Sequence, residues 1–539
     1  MAAKKGRMPM QNMTVKFEPF QSQKPGTGGL RRPTREFMQP HYIEGFVQAA
    51  LSHFRASGMA AGTLVLGSDG RYPGREKLPS IIKVLLANDV KRIIIAGREF
   101  VATTPAVSNI IRKYGADGGF MLSASHNPAG IDGDFGIKIE TPAGGQPAEA
   151  FTNGLYERTL KNDSYQTLGI SDEEALARAE IIDAASDYIE LMKSMFDFDA
   201  IKKWFDQGHE FRFDCMNAST GECARRIFVD IFGAPSDSIL RGDALADFGG
   251  IHPEPNPSYN KEFYDFMMNG GADFGAASDG DGDRNMILGN GFFAAPPDAL
   301  AVMTLNYKHI PYYRDRLTGV IRSLPTSSAV DLVAEDLGLA HFATPTGWKW
   351  FVSLMDAGLA QLCGEESFGQ GGDHIREKDA IFAVLYWLNM MGATGKTPRE
   401  LVHDMWAKYG RTFYSQYSFG GVDRDKAEQM MIRAASDNIA GKFGVSGQEV
   451  FNYTDPATGE KSDNQGVQFF TEDNARIFAR LSGTGTKGAT VRLYVEKHER
   501  DSSKFSMPNR EYLADICDRA NKIFRIEENF GAVSPIVAI

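Results

Sequence analysis

The sequence contains little cysteine, no long apolar run and no excess of basic residues. Its four cysteines form no Cys-x-x-Cys pair, which argues against a disulfide framework or a zinc site and favours a reduced intracellular protein. No apolar run reaches the length of about 18 residues that a membrane helix needs. The basic N-terminal segment also lacks the apolar stretch of a secretory signal. We therefore expect a cytoplasmic protein without a membrane span.

The charge balance limits the classes of ligand. The chain has 58 basic and 69 acidic residues, for a formal net charge of -11. This excess of acid argues against a broad basic surface for nucleic acid or anionic lipid. A small anionic ligand is still compatible with the composition if basic residues converge in a cleft.

The length and the pattern of apolar runs predict several α/β domains. A chain of 539 residues is too long for one core and suggests roughly three to five domains. The runs "GTLVLGSDG", "FRFDCMNAST" and "TGVIRSLPTS" each end in polar turn residues before a helical pattern, which indicates three similarly built α/β units. After about residue 410, alternating strands around polar helices indicate an α+β domain.

The segment "SDGDGDRN" predicts a metal site. Asp279, Asp281 and Asp283 alternate with glycines, which permit the tight curl that would bring three carboxylates together. Such hard oxygen ligands suit Mg²⁺ or a similar cation. An EF-hand is excluded because its sixth and twelfth loop positions would be Arg284 and Asn290. The alternative, an acidic surface turn, would leave three like charges repelling one another.

The segment "RLSGTGTKGAT" predicts a phosphate-binding loop. Its G-x-G-x-x-G spacing suggests a dinucleotide site, but such a loop opens a helix and "ATVRLYV" alternates like a strand. No Walker A lysine follows in place. Arg480, Ser482, Thr484 and Arg492 are nevertheless the donors that a phosphate dianion needs. A plain β-turn is the alternative.

Three further polar segments are candidates for the same site. "KPGTGGLRR" reads equally as a flexible turn or a binding loop, and "TPTGWKW" and "CGEESFGQGGDHIREKD" read as solvated loops or as the lining of a site. The last of these offers Glu365, Ser367, Arg376 and Lys378 to hydroxyls or phosphate.

The segment "SASHNP" contains a candidate nucleophile, Ser125, next to His126. Neighbouring side chains on a strand point to opposite faces, so a simple Ser-His couple is doubtful, and no G-x-S-x-G elbow is present. A polar turn is the alternative. Together with a hard metal and several phosphate loops, the serine is better interpreted as a phosphoryl carrier.

These motifs, in this order and spacing, resemble those of the α-D-phosphohexomutases. "SASHNPAG…DFGIK", "DGDGDRN", "TPTGWK", "GEESFG…DHIREKD" and "RLSGTGT" are similar to the glucose-specific phosphoglucomutase branch, which includes eukaryotic enzymes and parafusins. The resemblance runs from Lys24 to Glu496. It implies four domains around a central cleft, the first three with a shared mixed α/β core and the last α+β, with predicted bounds 1–188, 189–297, 298–410 and 411–539.

The resemblance also implies roles for individual residues. The catalytic set is Ser125 as the phosphoserine, His126, Lys138, Arg284 and Lys378. The Mg²⁺ ligands are Ser125, Asp279, Asp281 and Asp283. The substrate-binding set is Thr27, Arg31, Thr346, Gly347, Glu365, Ser367, Arg480, Ser482, Gly483, Thr484 and Arg492.

The implied reaction interconverts glucose 1-phosphate and glucose 6-phosphate through glucose 1,6-bisphosphate, with sugar phosphates as partners of a monomer or dimer. Alternatives are a mutase for mannose phosphate, a bisphosphate synthase, or a parafusin-like phosphoprotein with a non-enzymatic role. The sequence departs from the family pattern at Gly28, where a serine is usual, so one hydroxyl contact is missing or replaced. Lys487, inside the phosphate loop, is also unusual.

Overall fold

The computed structural model describes residues 12–26, 28–437, 439, 441–482, 489–531 and 536–537. These residues form four domains, each built on its own sheet. In the described residues, no helix has both the length and the apolar character required to cross a membrane. The predicted bounds of the four domains remain a prediction. One helix, residues 184–195, continues without interruption across the predicted boundary between the first and second domains, at residues 188 and 189.

The first domain has a six-stranded sheet with strand order β2-β6-β5-β3-β4-β8, plus the antiparallel pair β1-β7. Its strands are β1 (Asn12–Lys16), β2 (Leu30–Pro33), β3 (Thr63–Ser68), β4 (Arg92–Ala96), β5 (Gly119–Leu122), β6 (Asp134–Glu140), β7 (Ser164–Leu168) and β8 (Glu180–Ile182). Its helices are α1 (Thr34–Phe37), α2 (Tyr42–Ala56), α3 (Gly74–Ala87), α4 (Thr104–Lys113), α5 (Glu149–Thr159), α6 (Asp172–Leu176) and α7 (Ala184–Met195).

The second and third domains have five-stranded and four-stranded sheets. The second comprises α8 (Phe198–Asp206), β9 (Phe211–Asp214), α9 (Gly221–Ala224), β10 (Ile239–Leu240), α10 (Lys261–Met268), β11 (Phe274–Ser278), β12 (Asn285–Gly289) and β13 (Phe292–Ala294). The third comprises α11 (Pro296–Leu305), β14 (Gly319–Ser323), α12 (Ala329–Leu337), β15 (Ala340–Thr344), α13 (Trp348–Asp356), β16 (Leu362–Glu365), β17 (Gly369–Gly372), α14 (Ala380–Thr394) and α15 (Pro398–Tyr409).

The fourth domain has a six-stranded sheet with strand order β19-β22-β23-β24-β18-β25. It comprises β18 (Arg411–Val422), α16 (Arg424–Ser436), β19 (Val445–Val450), β20 (Tyr453–Thr454), β21 (Lys461–Ser462), β22 (Val467–Thr471), β23 (Ala475–Ser482), β24 (Ala489–Glu499), α17 (Asn509–Tyr512), α18 (Ala514–Phe524), α19 (Ile526–Phe530) and β25 (Ile536–Val537). Its pairings are antiparallel throughout, which confirms the predicted change of character after residue 410.

The first three domains repeat one topological unit. Each unit has three parallel strands, and the first of them in sequence lies in the sheet between the second and the third. A fourth strand pairs antiparallel with the third. The fourth strands are β6, β12 and β17. The similarity inferred from three apolar runs is therefore a repeat of strand order and direction.

The three chemical motifs occupy the same position in this repeat. The loops 123–133, 279–284 and 366–368 each join the third parallel strand to the antiparallel one. Each loop therefore leaves the carboxyl end of a buried parallel strand, where ligand sites of α/β sheets are found. Three distant sequence segments become equivalent edges of one cleft.

The apolar cores show how the domains are joined. One continuous cluster of buried side chains extends through the first three domains, from Val65 to Trp406. The fourth domain has its own core, from Phe413 to Ile526. A small cluster that includes Leu324 and Tyr414 connects it to the third domain. A domain with its own core and a small apolar junction is suited to movement relative to its neighbours.

Candidate active site

A cleft of about 1090 Å³ is lined by residues of all four domains. The predicted site residues that line it are Arg31, Ser125, His126, Lys138, Asp283, Arg284, Thr346, Gly347, Glu365, Ser367, Lys378, Arg480, Ser482 and Arg492. Asp279 and Asp281 have no exposed surface and lie beneath Ser125 and Lys138, which they contact. Thr27, Gly483, Thr484 and Lys487 lie outside the described residues.

Ser125 stands in a strained turn rather than on a strand. Strand β5 ends at Leu122, and Ser125 has a φ of 53°, in the left-handed region that few non-glycine residues adopt. Its amide donates a hydrogen bond to Ser123 Oγ (2.7 Å), and Arg71 donates one to its carbonyl oxygen. The turn is therefore held from both sides, as expected where strain is kept at a functional position.

This turn makes the expectation about the Ser-His couple wrong. The argument assumed a strand, on which adjacent side chains diverge, but the left-handed turn brings Ser125 Oγ within 3.4 Å of His126 Nδ1. Ser125 Oγ also donates a hydrogen bond to Asp279 Oδ2 (2.9 Å). The Ser125 hydroxyl therefore contacts both a titratable ring and the carboxylate cluster.

The three aspartates form a buried cluster that could hold a metal ion. One carboxylate oxygen from each of Asp279, Asp281 and Asp283 lies within 4.8 Å of the others. The Oδ1 atoms of Asp281 and Asp283 are buried without a hydrogen-bond partner among the described residues. Such oxygens require a ligand, and an all-oxygen donor set fits a hard divalent cation. Gly282 has a φ of 73°, which allows the loop to curl.

Close packing against the serine turn fixes the position of this loop. A Cβ atom at Gly280 would lie 2.4 Å from the carbonyl oxygen of Ser125. Only glycine permits such an approach of two backbones. The alternation of glycine and aspartate therefore serves both the curl of the loop and its contact with the serine turn.

Lys138 on β6 neutralises part of the carboxylate cluster. Its Nζ lies 2.6 Å from Asp281 Oδ2 and 3.3 Å from Asp283 Oδ2. Burial lowers the pKa of Lys138, but Asp281 and Asp283 outweigh burial and raise it above the ordinary range. Burial together with Asp283 and Asp281 raises the pKa of Asp279 well above its usual range. The cluster is therefore short of positive charge even with the lysine in place.

His126 has the opposite electrostatic surroundings. Burial, followed by the charge of Arg284, lowers the pKa of His126 well below 6.5. The imidazole is therefore neutral at neutral pH and able to accept a proton. The charges of Asp281 and Asp283 instead keep Lys138 protonated.

The third domain places polar groups opposite the serine. Lys378 Nζ lies 3.3 Å from Asp283 Oδ2 and 3.8 Å from Glu365 Oε1. It therefore connects the aspartate loop, residues 279–284, to the "GEES" loop. Thr346 Oγ1 is buried without a hydrogen-bond partner among the described residues. Gly347 has a φ of 133°. Arg376, a candidate in the same polar segment, instead pairs with Asp356.

The first and fourth domains supply guanidinium groups. Arg480 and Arg492 lie directly opposite each other on β23 and β24, an arrangement that like charges destabilise unless an anion lies between them. Arg31 Nε and Arg492 Nε are buried without partners among the described residues. A Cβ atom at Gly28 would lie 2.7 Å from Arg31 Nη2, so the missing serine leaves room for this guanidinium.

Sequence reasoning missed several residues of the site. Glu254 pairs with Arg284 (3.4 Å) and His252 (3.3 Å), and Glu366 and Tyr494 form part of a hydrogen-bond chain behind Arg480. The only signal for Glu254 was the polar, proline-rich segment "HPEPNP". Tyr494 had none, because an aromatic residue in an alternating strand reads as core.

Comparison with known proteins agrees with this geometry. Family models match four successive parts of the chain: the phosphoglucomutase/phosphomannomutase α/β/α domain I (residues 22–166), domain II (186–291) and domain III (296–409), and the phosphoglucomutase-1 C-terminal domain (411–536). The chloroplastic phosphoglucomutase 1 of Marchantia polymorpha is 42% identical over 97% of this chain and 84% of its own. The cytoplasmic phosphoglucomutase of Pisum sativum is 42% identical over 97% and 98%.

A solved structure shows the same architecture. The parafusin phosphoglucomutase of Paramecium, an exocytosis-sensitive phosphoprotein in an open form, superposes with a TM-score of 0.90 at 38% identity, over 97% of this chain and 98% of its own. The repeated α/β unit, the serine turn over a carboxylate cluster and the matched domains thus agree, and the chain belongs to the phosphoglucomutase/phosphomannomutase family.

Proposed function

We propose that this chain is a phosphoglucomutase that interconverts glucose 1-phosphate and glucose 6-phosphate through phosphorylated Ser125 and glucose 1,6-bisphosphate. The observation that carries the proposal is the hydrogen bond of 2.9 Å from Ser125 Oγ to Asp279, in a cluster of three buried carboxylates at the base of a cleft. The relatives named phosphoglucomutase, which match nearly the whole chain, support the sugar.

The carboxylate cluster is proposed as a Mg²⁺ site. Asp279, Asp281 and Asp283 would hold the ion together with an oxygen on Ser125, and the two unpartnered Oδ1 atoms support this assignment. When bound, Mg²⁺ neutralises charge on the phosphoryl group as it is transferred. Lys138 contacts Asp281 and Asp283, so it would reduce the repulsion between these carboxylates and limit the negative charge of the cluster.

The first transfer moves the phosphoryl group from Ser125 to the sugar. The bond between Ser125 Oγ and phosphorus breaks, a bond from the sugar 6-oxygen to phosphorus forms, and the hydroxyl proton leaves the sugar. His126 is the proposed acceptor of that proton, since its pKa lies well below 6.5 and its ring lies beside Ser125. Arg284 and Lys378 would stabilise the negative charge of the phosphoryl group.

The second transfer returns a phosphoryl group to Ser125 after the bisphosphate turns over. Ser125 Oγ, which took up a proton when its bond to phosphorus broke in the first transfer, then attacks the 1-phosphate and gives that proton to His126. The bond from phosphorus to the sugar 1-oxygen breaks, that oxygen takes up the proton, and glucose 6-phosphate leaves. Glu365 and Ser367 are proposed to bind the sugar hydroxyls in both orientations of the sugar. The position of Glu365 and Ser367 in the lining of the cleft supports this role.

The phosphate that is not transferred needs its own site. It is proposed to bind Arg480, Ser482 and Arg492, with Gly483 and Thr484 of the same loop, and the facing arginines support this site. Thr27 and Arg31 of the first domain, with Thr346 and Gly347 of the third, complete the proposed substrate contacts. The small apolar junction of the fourth domain suits closure over the substrate.

We further propose a cytoplasmic location, which the cytoplasmic relative supports and the chloroplastic one does not. The proposed partners are sugar phosphates, for a monomer or a dimer. Size-exclusion chromatography with light scattering distinguishes the two assemblies.

The test is a coupled assay of purified protein with Mg²⁺ and a catalytic amount of glucose 1,6-bisphosphate. We expect conversion of glucose 1-phosphate, and a loss of at least about 1000-fold in Ser125→Ala, because the group that carries the phosphoryl is absent. Ser194→Ala, at an exposed serine outside the cleft, is the matched control and should keep full activity. Normal conversion by Ser125→Ala would refute the mechanism, and preference for mannose 1-phosphate in direct competition would refute the substrate.

A further inference from the structure

A chain of hydrogen bonds connects the fourth domain to the sugar-binding loop of the third. Arg480 Nε donates to the hydroxyl of Tyr494 (3.2 Å), and that hydroxyl donates to Glu366 Oε1 (3.3 Å). Tyr494 and Glu366 are 2% and 1% exposed, so these bonds are shielded from water. Tyr494 does not itself line the cleft, but both of its partners in this chain, Arg480 and Glu366, do.

Hydroxyl groups of the third domain hold the carboxylate at the end of this chain. Glu366 Oε2 accepts hydrogen bonds from Ser323 Oγ (2.7 Å) and Thr326 Oγ1 (3.1 Å). The backbone amide of Glu366 donates to the same Thr326 Oγ1 (2.9 Å). The side chain of Glu366 is therefore held in a fixed position next to Glu365, which is proposed to bind the sugar hydroxyls.

The hydrogen bond from Arg480 to Tyr494 opposes the repulsion between two arginines in the proposed phosphate site. Arg480 faces Arg492 directly across two strands, and in the absence of phosphate their repulsion favours movement of one guanidinium away from the other. The bond from Arg480 Nε to Tyr494 opposes that movement. Among the described residues, the two terminal NH₂ groups of Arg480 donate no side-chain hydrogen bond, which suits the paired contacts that a phosphate accepts.

We propose that Tyr494 is a positioning residue that couples Arg480, in the phosphate site of the fourth domain, to Glu366 in the sugar-binding loop of the third. The inference rests on the proposed function and deepens it. A preorganised Arg480 holds the phosphate that is not being transferred. It thereby retains the bisphosphate while that intermediate turns over between the two transfers.

The test is Tyr494→Phe, which removes one hydroxyl and leaves the ring. We expect the KM for glucose 1-phosphate to rise about tenfold with kcat changed by less than about threefold, because the lost contact acts on substrate and transition state alike. The concentration of glucose 1,6-bisphosphate needed for half-maximal activity should rise by a similar factor, since the intermediate escapes more often. A purely structural defect would lower the amount of active enzyme without changing the concentration of glucose 1,6-bisphosphate needed for half-maximal activity, so this measurement separates the two roles.

Tyr414→Phe is the matched control. Tyr414 is also a buried phenol of the fourth domain, and its hydroxyl donates to Pro325 O (3.1 Å) across the same domain junction without contacting Arg480. Glu366→Gln is the second variant, since it keeps the shape of the side chain and removes the charge. Glu366→Gln should raise both the KM for glucose 1-phosphate and the bisphosphate concentration needed for half-maximal activity, even if Tyr494→Phe folds poorly.

The outcomes distinguish the two levels of the proposal. If the wild type is active and both Tyr494→Phe and Glu366→Gln keep its KM and bisphosphate requirement, the coupling is refuted and the proposed function stands. Equal changes in Tyr414→Phe would also refute it, because they would reflect a general loosening of the junction. An inactive wild type would refute the proposed function and this inference together.

Discussion

Replacing Lys138 by methionine should raise the affinity for Mg²⁺ while lowering activity. The Nζ atom of Lys138 is a buried positive charge 2.6 Å from Asp281 Oδ2 and 3.3 Å from Asp283 Oδ2. Methionine fills a similar volume without that charge. The three carboxylates then lack their nearest cation, so a divalent ion gains attraction, whereas an anionic phosphoryl group meets a more negative site.

The magnitude follows from Coulomb's law. With a carboxylate between them, the lysine nitrogen and a bound Mg²⁺ are roughly 6 Å apart, since metal–oxygen distances are about 2.1 Å. At a dielectric constant of about 80, their repulsion is about 1.4 kcal/mol, which corresponds to about tenfold in affinity. A buried site has a lower effective dielectric constant, so tenfold is the minimum gain expected.

The assay is calorimetric titration of Mg²⁺ at pH 8, with the phosphorylation state of Ser125 matched by intact mass. The exposed Lys261, which pairs with Asp265 on the surface, supplies the control variant Lys261→Met. The steady-state kcat of Lys138→Met should fall at least about tenfold. Unchanged or weaker binding of Mg²⁺ by Lys138→Met would refute the electrostatic reasoning.

Two further predictions concern other parts of the chain. Burial raises the pKa of Asp298 to about 6 in the folded protein. The folded state therefore favours the protonated carboxyl, and the contribution of this group to the free energy of unfolding is present at pH 4 and lost as the pH rises through 6. Asp298→Asn should reduce this loss by about 3 kcal/mol at most, measured as a smaller fall in Tm between pH 4.5 and pH 7; parallel curves would contradict it. Gly28→Ser should displace the Arg31 guanidinium and raise the KM for glucose 1-phosphate roughly fivefold, and an unchanged KM in steady-state assays would argue against that displacement.

The sequence predicted the elements of the site better than their geometry. Apolar runs ending in polar turns identify buried parallel strands, because this pattern reflects burial on both faces. Alternating aspartate and glycine likewise predicts the carboxylate cluster, because the glycines let the loop curl and bring its carboxylates together. The α/β class, the fourth-domain strands and the carboxylate cluster are therefore confirmed.

The contact between Ser125 and His126 was not predictable by the same reasoning. It depends on one φ angle, and a non-glycine residue in the left-handed region leaves no clear mark in the sequence. The Arg480–Tyr494–Glu366 chain is hidden for another reason. Glu366 and Tyr494 are separated by 128 positions, and only the docking of two domains brings them together.

The left-handed turn at Ser125 favours serine over threonine at this position. Threonine carries the same nucleophilic oxygen, but its β-branched side chain makes a positive φ a genuine outlier. Chemistry alone would accept either residue as a phosphoryl acceptor. The backbone therefore favours serine where the reaction itself would accept either residue.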